Sequence, residues 1–400
     1  MRTIGVVTVA RSDYGLYLPL LREIQADPDL RLYLIVSGMH LSPEFGLTVE
    51  AIEADGFEID ERVEMLLSSD TPEGIAKSMG LGMIGFAQAY ARFRPDILVV
   101  LGDRFEMHAA ALAALPFKIP VAHIHGGEIT QGAIDDALRH SMTKLSHLHF
   151  VGTQEYAQRV LQMGEEPWRV VVSGALSIDS ISAVRLLTLE ELEARHDLRL
   201  KQPFLLVTCH PVTLEYEQTE WQIGELLMAL DTCGLPTLFT MPNADTAGRT
   251  IIQRIKGFVA AHPSAQMVDN LGTQSYHSAM ALAAAMVGNS SSGIVEAASF
   301  ALPVVNIGTR QQGRVRSANV IDVGYNRNEI LDGIQRALSR KLLAGWEQMV
   351  VSPFGDGHAA ERIVHSLKQA SLNDHLLIKR FVDYPAISEI GCCSFSNQKE

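Results

Sequence analysis

Asp103 follows the short apolar run Asp96 to Leu101 in Leu101-Gly102-Asp103-Arg104, and Glu128 follows Ile119 to Ile124 in His123-Ile124-His125-Gly126-Gly127-Glu128. Asp135 comes soon after, in Ile134-Asp135-Asp136-Ala137-Leu138-Arg139-His140. Asp103, His125, Glu128 and Asp135 therefore come from the ends of neighbouring predicted strands and could surround one small ring. Acids and imidazoles gathered in this way without a metal motif point to proton transfer. Taken singly, a carboxylate here is as well a helix cap, and Asp135 or Asp136 fits that role. His123 with His125, and His147 with His149, lie two apart and share a strand face. The acids nearby lack a recognised ligand spacing, so His123, His147 and His149 read as hydrogen-bonded core residues and no metal is expected.

A second group could hold phosphate. Met286-Val287-Gly288-Asn289-Ser290-Ser291-Ser292-Gly293-Ile294 ends a predicted strand and opens a helix. Hydroxyls and unpaired backbone N–H groups at a helix start suit a diphosphate. Glu296, one turn inside, could accept both hydroxyls of a ribose. The plain alternative is a Ser-rich N-cap. His210 directly follows the run Phe204 to Thr208 and can donate to a phosphate oxygen. Arg11, Arg104 and Arg310 each stand just past a predicted strand, where their forked donors would converge on one cleft. No GxGxxG follows the first strand and no GxxxxGK[ST] occurs, which argues against a nicotinamide dinucleotide and against a P-loop ATPase.

These residues need elements to position them. Short apolar runs alternate with longer amphipathic stretches: Ile4 to Val9, Leu30 to Val36, Asp96 to Leu101, Ile119 to Ile124, His147 to Val151 and Arg169 to Val172. After a charged helix around Leu189 to His196 the pattern restarts with Phe204 to Thr208, Pro236 to Thr240, Ala265 to Val268, Ala285 to Val287 and Pro303 to Ile307. That alternation predicts buried parallel sheets, and 400 residues exceed what one core usually supports. The expected architecture is α/β, with two doubly wound Rossmann-like domains facing across a cleft. Residues 1–185 form the first, 200–345 the second, 346–372 a C-terminal helix packing back toward the first, and 373–400 a flexible tail. Ligands of open α/β sheets bind at the carboxyl ends of the strands, so the cleft is the expected site.

The net charge of -13 would repel nucleic acid and anionic membrane, so any phosphate site must be a local concentration of cations. No apolar run approaches the ~20 residues of a membrane span, and no signal-peptide pattern opens the chain. Cys209, Cys233, Cys392 and Cys393 show no ligand spacing. A cytoplasmic protein without a zinc finger is expected.

In order, RSDYGLYLPLL, SGMHLSPEFG, VVLGDRFE, HIHGGE, DDALRHSMTKLSHLHF, CHPVT, MPNADTAG, GNSSSGIVE and NIGTR resemble the motifs of the hydrolysing UDP-N-acetylglucosamine 2-epimerases of sialic acid biosynthesis. The likeness runs from Arg11 to about Arg316 and leaves out the tail. It implies the two-domain fold of B-type glycosyltransferases. It also implies that Arg11, Arg104, His210, Asn243, Ser290, Ser291, Glu296 and Arg310 hold UDP, and that Asp103 and Asp135 act at the sugar. One position departs from the pattern: animal and non-hydrolysing members carry Glu where this chain has His125, and Glu128 is the nearest substitute.

The C2 hydrogen of such a substrate is not next to a carbonyl, so its removal must accompany loss of UDP. A carboxylate such as Asp103 would take the proton to leave a glycal, and water at C1 with a proton returned to C2 would give N-acetylmannosamine. Glu128, Asp135 or His125 could supply the second acid. The same reaction on a UDP-2,4-diacetamido-trideoxyhexose, toward legionaminic acid, is equally open. A glycosyltransferase and a silent UDP-sugar-binding protein are the further alternatives. No cofactor is expected; the expected partners are the UDP-sugar and a second copy of the chain, in a homodimer or homotetramer.

Overall fold

The computed structural model describes residues 1–383 except 70, 131–133, 242–247 and 270, and omits the side chains of 213, 214 and 249. Seven parallel strands make the first sheet: β1 (Arg2–Thr8), β2 (Leu30–Ser37), β3 (Glu61–Val63), β4 (Ile97–Leu101), β5 (Val121–Ile124), β6 (Leu148–Val151) and β7 (Val170–Val172), in the order β3-β2-β1-β4-β5-β6-β7. Six more make the second: β8 (Leu205–Thr208), β9 (Thr237–Thr240), β10 (Ala265–Val268), β11 (Ala285–Gly288), β12 (Val304–Ile307) and β13 (Val320–Val323), in the order β10-β9-β8-β11-β12-β13. Helices cover both faces, so central strands such as β4 and β11 are buried end to end and read as unbroken apolar runs. The expected architecture of two doubly wound domains is the one observed. The edge strands β3 and β13 were not predicted; each is short, and each pairs on one side only.

The domains meet in a shared apolar cluster, where Ile294 of the second packs with Val151, Tyr156 and Phe354. The Tyr156 hydroxyl accepts a hydrogen bond from the Val315 N–H at 3.2 Å. Helix Ala359–Gln369 packs on helix Arg11–Ala26 of the first domain, and Ile363 and Leu367 enter that domain's core. Residues 373–383 correct the expectation of a tail from Asn373. They lack helical periodicity because they are held by side chains of the first domain rather than by an amphipathic face. Helix Asp374–Leu377 is one turn long, yet Leu376 is fully buried. The remaining residues of the expected tail, 384–400, lie outside the described residues.

Candidate active site

Strand order reverses between β1 and β4 in the first sheet and between β8 and β11 in the second, and those switch points are where open α/β sheets leave a crevice. A cleft of about 750 Å³ lies between the domains, lined by Arg11 and Tyr14 from the first and by Thr240, Tyr276, His277 and Glu296 from the second. The turn after β1 is tied down by Asp13. Its carboxylate accepts from the Val9 N–H at 3.1 Å, from the Ala10 N–H at 2.7 Å and from the Thr8 hydroxyl. Burial pushes the Asp13 carboxyl up to about 7 in spite of those bonds and the nearby Arg104 charge.

Asp103 lies just past β4, and its carboxylate is hydrogen-bonded to the Arg139 guanidinium. Arg139, on helix Ile134–Leu145, is buried, and burial alone would weaken its charge. The carboxylates of Asp103, Glu128, Asp136 and Asp135 outweigh that effect and keep it a cation. Asp135 is half-buried in the first turn of the same helix. Asp136 accepts from the Thr130 N–H at 2.7 Å, tying the helix start to the preceding loop.

The turn after β5 bends sharply. His125 has φ of +66°, a left-handed conformation rare for a residue with a side chain. Its Nδ1 is 2.6 Å from Glu128 Oε1, and its Nε2 is buried with no hydrogen-bond partner among the described residues. Burial tends to raise the pKa of Glu128, but His125, followed by Arg314 and Arg139, holds it well below the usual carboxylate range. Arg314 reaches across from the second domain to 3.7 Å from Glu128 Oε2. Arg104 is engaged by Glu106, at 2.8 Å, and sits beside Met39.

On the second domain, Asn289 organises the loop after β11. Its side chain accepts from the His210 N–H at 2.7 Å and donates to the His210 carbonyl at 2.8 Å. Arg310 and Gln311 both donate to the Asn289 carbonyl, at 3.0 and 2.9 Å. Gly288 has φ of +137°, and a Cβ there would fall 2.0 Å from the Thr208 carbonyl oxygen, so only glycine lets these two strand ends come together. Burial, reinforced by Arg310, pushes His210 down to about 3, leaving a neutral imidazole at physiological pH. Ser290 caps helix Ser291–Val295, and its hydroxyl lies 2.8 Å from that of Ser292, which in turn lies 2.6 Å from the Tyr276 hydroxyl. That helix spans five residues, so separate donors rather than a large macrodipole face the cleft. Glu296 Oε2 lies 3.2 Å from Nε2 of His277.

The site residues expected from sequence thus fall into two groups, one on each domain. Asp103, His125, Glu128 and Asp135 gather around Arg139, with Arg104 beside them, while Arg11 and Glu296 line the cleft. His210, Ser290, Ser291 and Arg310 gather around Asn289; Asn243 lies outside the described residues. Sequence reasoning missed Arg139, Arg314, His277 and Asn289 as contributors. The one signal for Arg139 was its spacing of four from Asp135. His123, His147 and His149 are core groups: His123 bonds the Gly102 carbonyl at 2.7 Å, His149 bonds Glu165 at 3.0 Å, and burial pushes His123 to about 3 and His147 to about 4. Among the described residues no group of three or more potential metal ligands occurs.

The family model described as UDP-N-acetylglucosamine 2-epimerase matches residues 22–368. A Campylobacter jejuni protein named GDP/UDP-N,N'-diacetylbacillosamine 2-epimerase (hydrolyzing) is 40% identical over 96% of this chain and 99% of its own length. A Legionella pneumophila UDP-N,N'-diacetylbacillosamine 2-epimerase (hydrolyzing) is 36% identical over 95% and 99%. The crystal structure of UDP-GlcNAc 2-epimerase from Neisseria meningitidis bound to UDP-GlcNAc superposes with a TM-score of 0.78 at 17% identity, covering 92% of this chain and all of that one, and so shares the fold. By the reach of the family match and the identity to these relatives, the chain belongs to the UDP-N-acetylglucosamine 2-epimerase family.

Proposed function

We propose that this enzyme is a hydrolysing UDP-sugar 2-epimerase that releases UDP and a free 2-epimerised amino sugar, for synthesis of a nonulosonic acid. The observation that carries the reading is the pairing of two built acid/base groups, Asp103 with Arg139 and His125 with Glu128, on the first domain, with the donor loop 288–292 on the second. The bond from C1 to the diphosphate oxygen breaks with its electron pair leaving on UDP. His210, Ser290, Ser291 and Arg310 stabilise that developing charge, Arg11 and Arg104 face it from the first domain, and Glu296 holds the ribose. Asp103 takes the C2 proton, leaving a glycal. Water then bonds to C1, and a proton is delivered to the opposite face of C2.

Glu128 is held ionised, so it is a poor proton donor itself; it orients His125 with Nδ1–H toward the carboxylate and leaves Nε2 for the transfer. Asp135, one turn before Arg139, is the alternative second acid at the sugar. The names of the two relatives above favour a UDP-2,4-diacetamido-trideoxyhexose as substrate. UDP-N-acetylglucosamine is the second reading, favoured by a Neisseria meningitidis UDP-N-acetylglucosamine 2-epimerase that is 31% identical over 85% of the chain. A cytoplasmic setting fits the free thiols of Cys209 and Cys233, and a homo-oligomer fits the exposed Leu81 and Ile84.

Each UDP-sugar incubated with the enzyme in D₂O and in H₂¹⁸O tests the chemistry by NMR and mass spectrometry. Deuterium at C2 with manno configuration, and ¹⁸O on C1 rather than phosphate, are expected. Protium retained at C2 would reduce the enzyme to a nucleotide-sugar hydrolase.

A further inference from the structure

Helix Ile134–Leu145 carries Asp135 in its first turn and Arg139 at its middle, and is held at its far end by a segment 236 positions away in sequence. Lys379 Nζ lies 3.3, 3.0 and 2.5 Å from the carbonyl oxygens of Thr143, Lys144 and Ser146. Carbonyls in the last turn of a helix have no partner within it, and an ammonium group there both donates to them and complements the negative end of the dipole. The same Nζ is 2.7 Å from Oε2 of the buried Glu165, whose Oε1 is 2.6 Å from Lys144 on the helix. One carboxylate thus joins the helix to the C-terminal segment.

The segment is anchored independently of Lys379. The buried Arg169 guanidinium donates to the carbonyls of His375 and Leu376, both at 2.8 Å, and Trp168 stacks on His375 at 4.7 Å. Phe381 lies over Gly164, where a Cβ would fall 2.5 Å from its ring, and the Val382 N–H donates to the Gly164 carbonyl at 3.0 Å. From the capped turn, contact runs inward: the Thr143 hydroxyl donates to the Arg139 carbonyl at 3.3 Å, and Arg139 holds Asp103.

We infer that Lys379, on a strap formed by residues 374–383, is a positioning residue for the reaction, fixing helix Ile134–Leu145 and through it the guanidinium that aims the Asp103 carboxylate. The inference rests on the reading that Asp103 works at the sugar. The contacts described above tie the strap to the first domain, so its loss should separate turnover from nucleotide affinity.

The full chain carrying Lys379→Met keeps the side-chain stem and leaves Glu165 paired with Lys144 and His149. Its kcat is expected to fall about tenfold with UDP affinity by calorimetry unchanged, the size of effect a small misplacement of a reacting group produces. Amide exchange should quicken in helix 134–145 and not in the second domain, and Lys379→Arg should recover most of the turnover. Should Lys379→Met fail to fold, Phe381→Ala loosens the same strap without stranding a buried charge and should lower kcat in the same way. Wild-type kcat in whichever of the two variants folds, or kcat and UDP affinity falling together, overturns the inference. Asp103→Asn assayed alongside separates the two readings. Full turnover there sinks the assignment of Asp103, whereas a dead Asp103→Asn beside a fully active strap variant sinks only the role of the strap.

Discussion

Among the site residues of the first domain, charged groups come in pairs: Asp103 with Arg139, Glu128 with His125 and with Arg314 of the second domain, Arg104 with Glu106. Around the loop after β11 on the second wall, the polar groups are mostly neutral: an asparagine, serine hydroxyls, backbone N–H groups and an imidazole kept uncharged by burial, with Arg310 as the added cation. The difference follows the work each wall is proposed to do. A group that moves a proton must be held in one geometry with its proton affinity set by fixed neighbours. A wall that grips a diphosphate must also release it, and neutral donors around one arginine bind a dianion without the depth of a fully cationic pocket.

The sharpest way to break this comparison is Asp103→Asn. Loss of a general base is expected to lower kcat roughly 10²–10⁴-fold, with UDP binding by calorimetry unaltered. A matching loss of UDP affinity would mean that the walls are not specialised. His210→Ala should do the reverse. Calorimetry is expected to show UDP weakened roughly tenfold to a hundredfold, the worth of one hydrogen bond to a charged group at about 1.5–3 kcal/mol. Because His210 is already neutral, the loss of affinity on His210→Ala should be the same factor across pH 5 to 8, since the titration of UDP's own phosphate affects both proteins alike. A factor that shrinks steeply as pH rises through that window would show the imidazole to be charged.

A further test concerns stability. The Asp13 carboxyl is raised from 3.8 to about 7 on folding, so the folded state holds its proton more tightly than the unfolded chain does. Its contribution is full below pH 3.8 and is lost as pH rises through about 7. Denaturant melts of Asp13→Asn should therefore show less decline in stability between those values than the wild type. An identical slope would remove Asp13 as the source.

Eleven of the thirteen strands were legible because a parallel strand covered on both faces is a short, unbroken apolar run, and the acids and arginines just past those runs could be read from position alone. Position did not reveal pairing. Arg139 meets Asp103 across 36 residues and sits on its helix like any solvated ion-pair partner of Asp135, so local spacing hid its burial. Arg314 comes from the other domain altogether. The docked residues 374–383 were illegible for a related reason: backbone carbonyls accept from Arg169, and carbonyls have no sequence signature.

The left-handed turn at His125 has a consequence for anyone who would improve this protein. An L-residue with φ of +66° costs roughly 1–2 kcal/mol relative to one free to adopt that conformation, and glycine relieves the cost at no steric expense. Directed evolution for heat tolerance, or redesign on this backbone scored by folding alone, will therefore drift toward glycine at 125 and register the change as progress. A hardened variant obtained that way would keep its shape and its grip on nucleotide while discarding the imidazole, so a screen for robustness needs turnover as a second criterion at this one position.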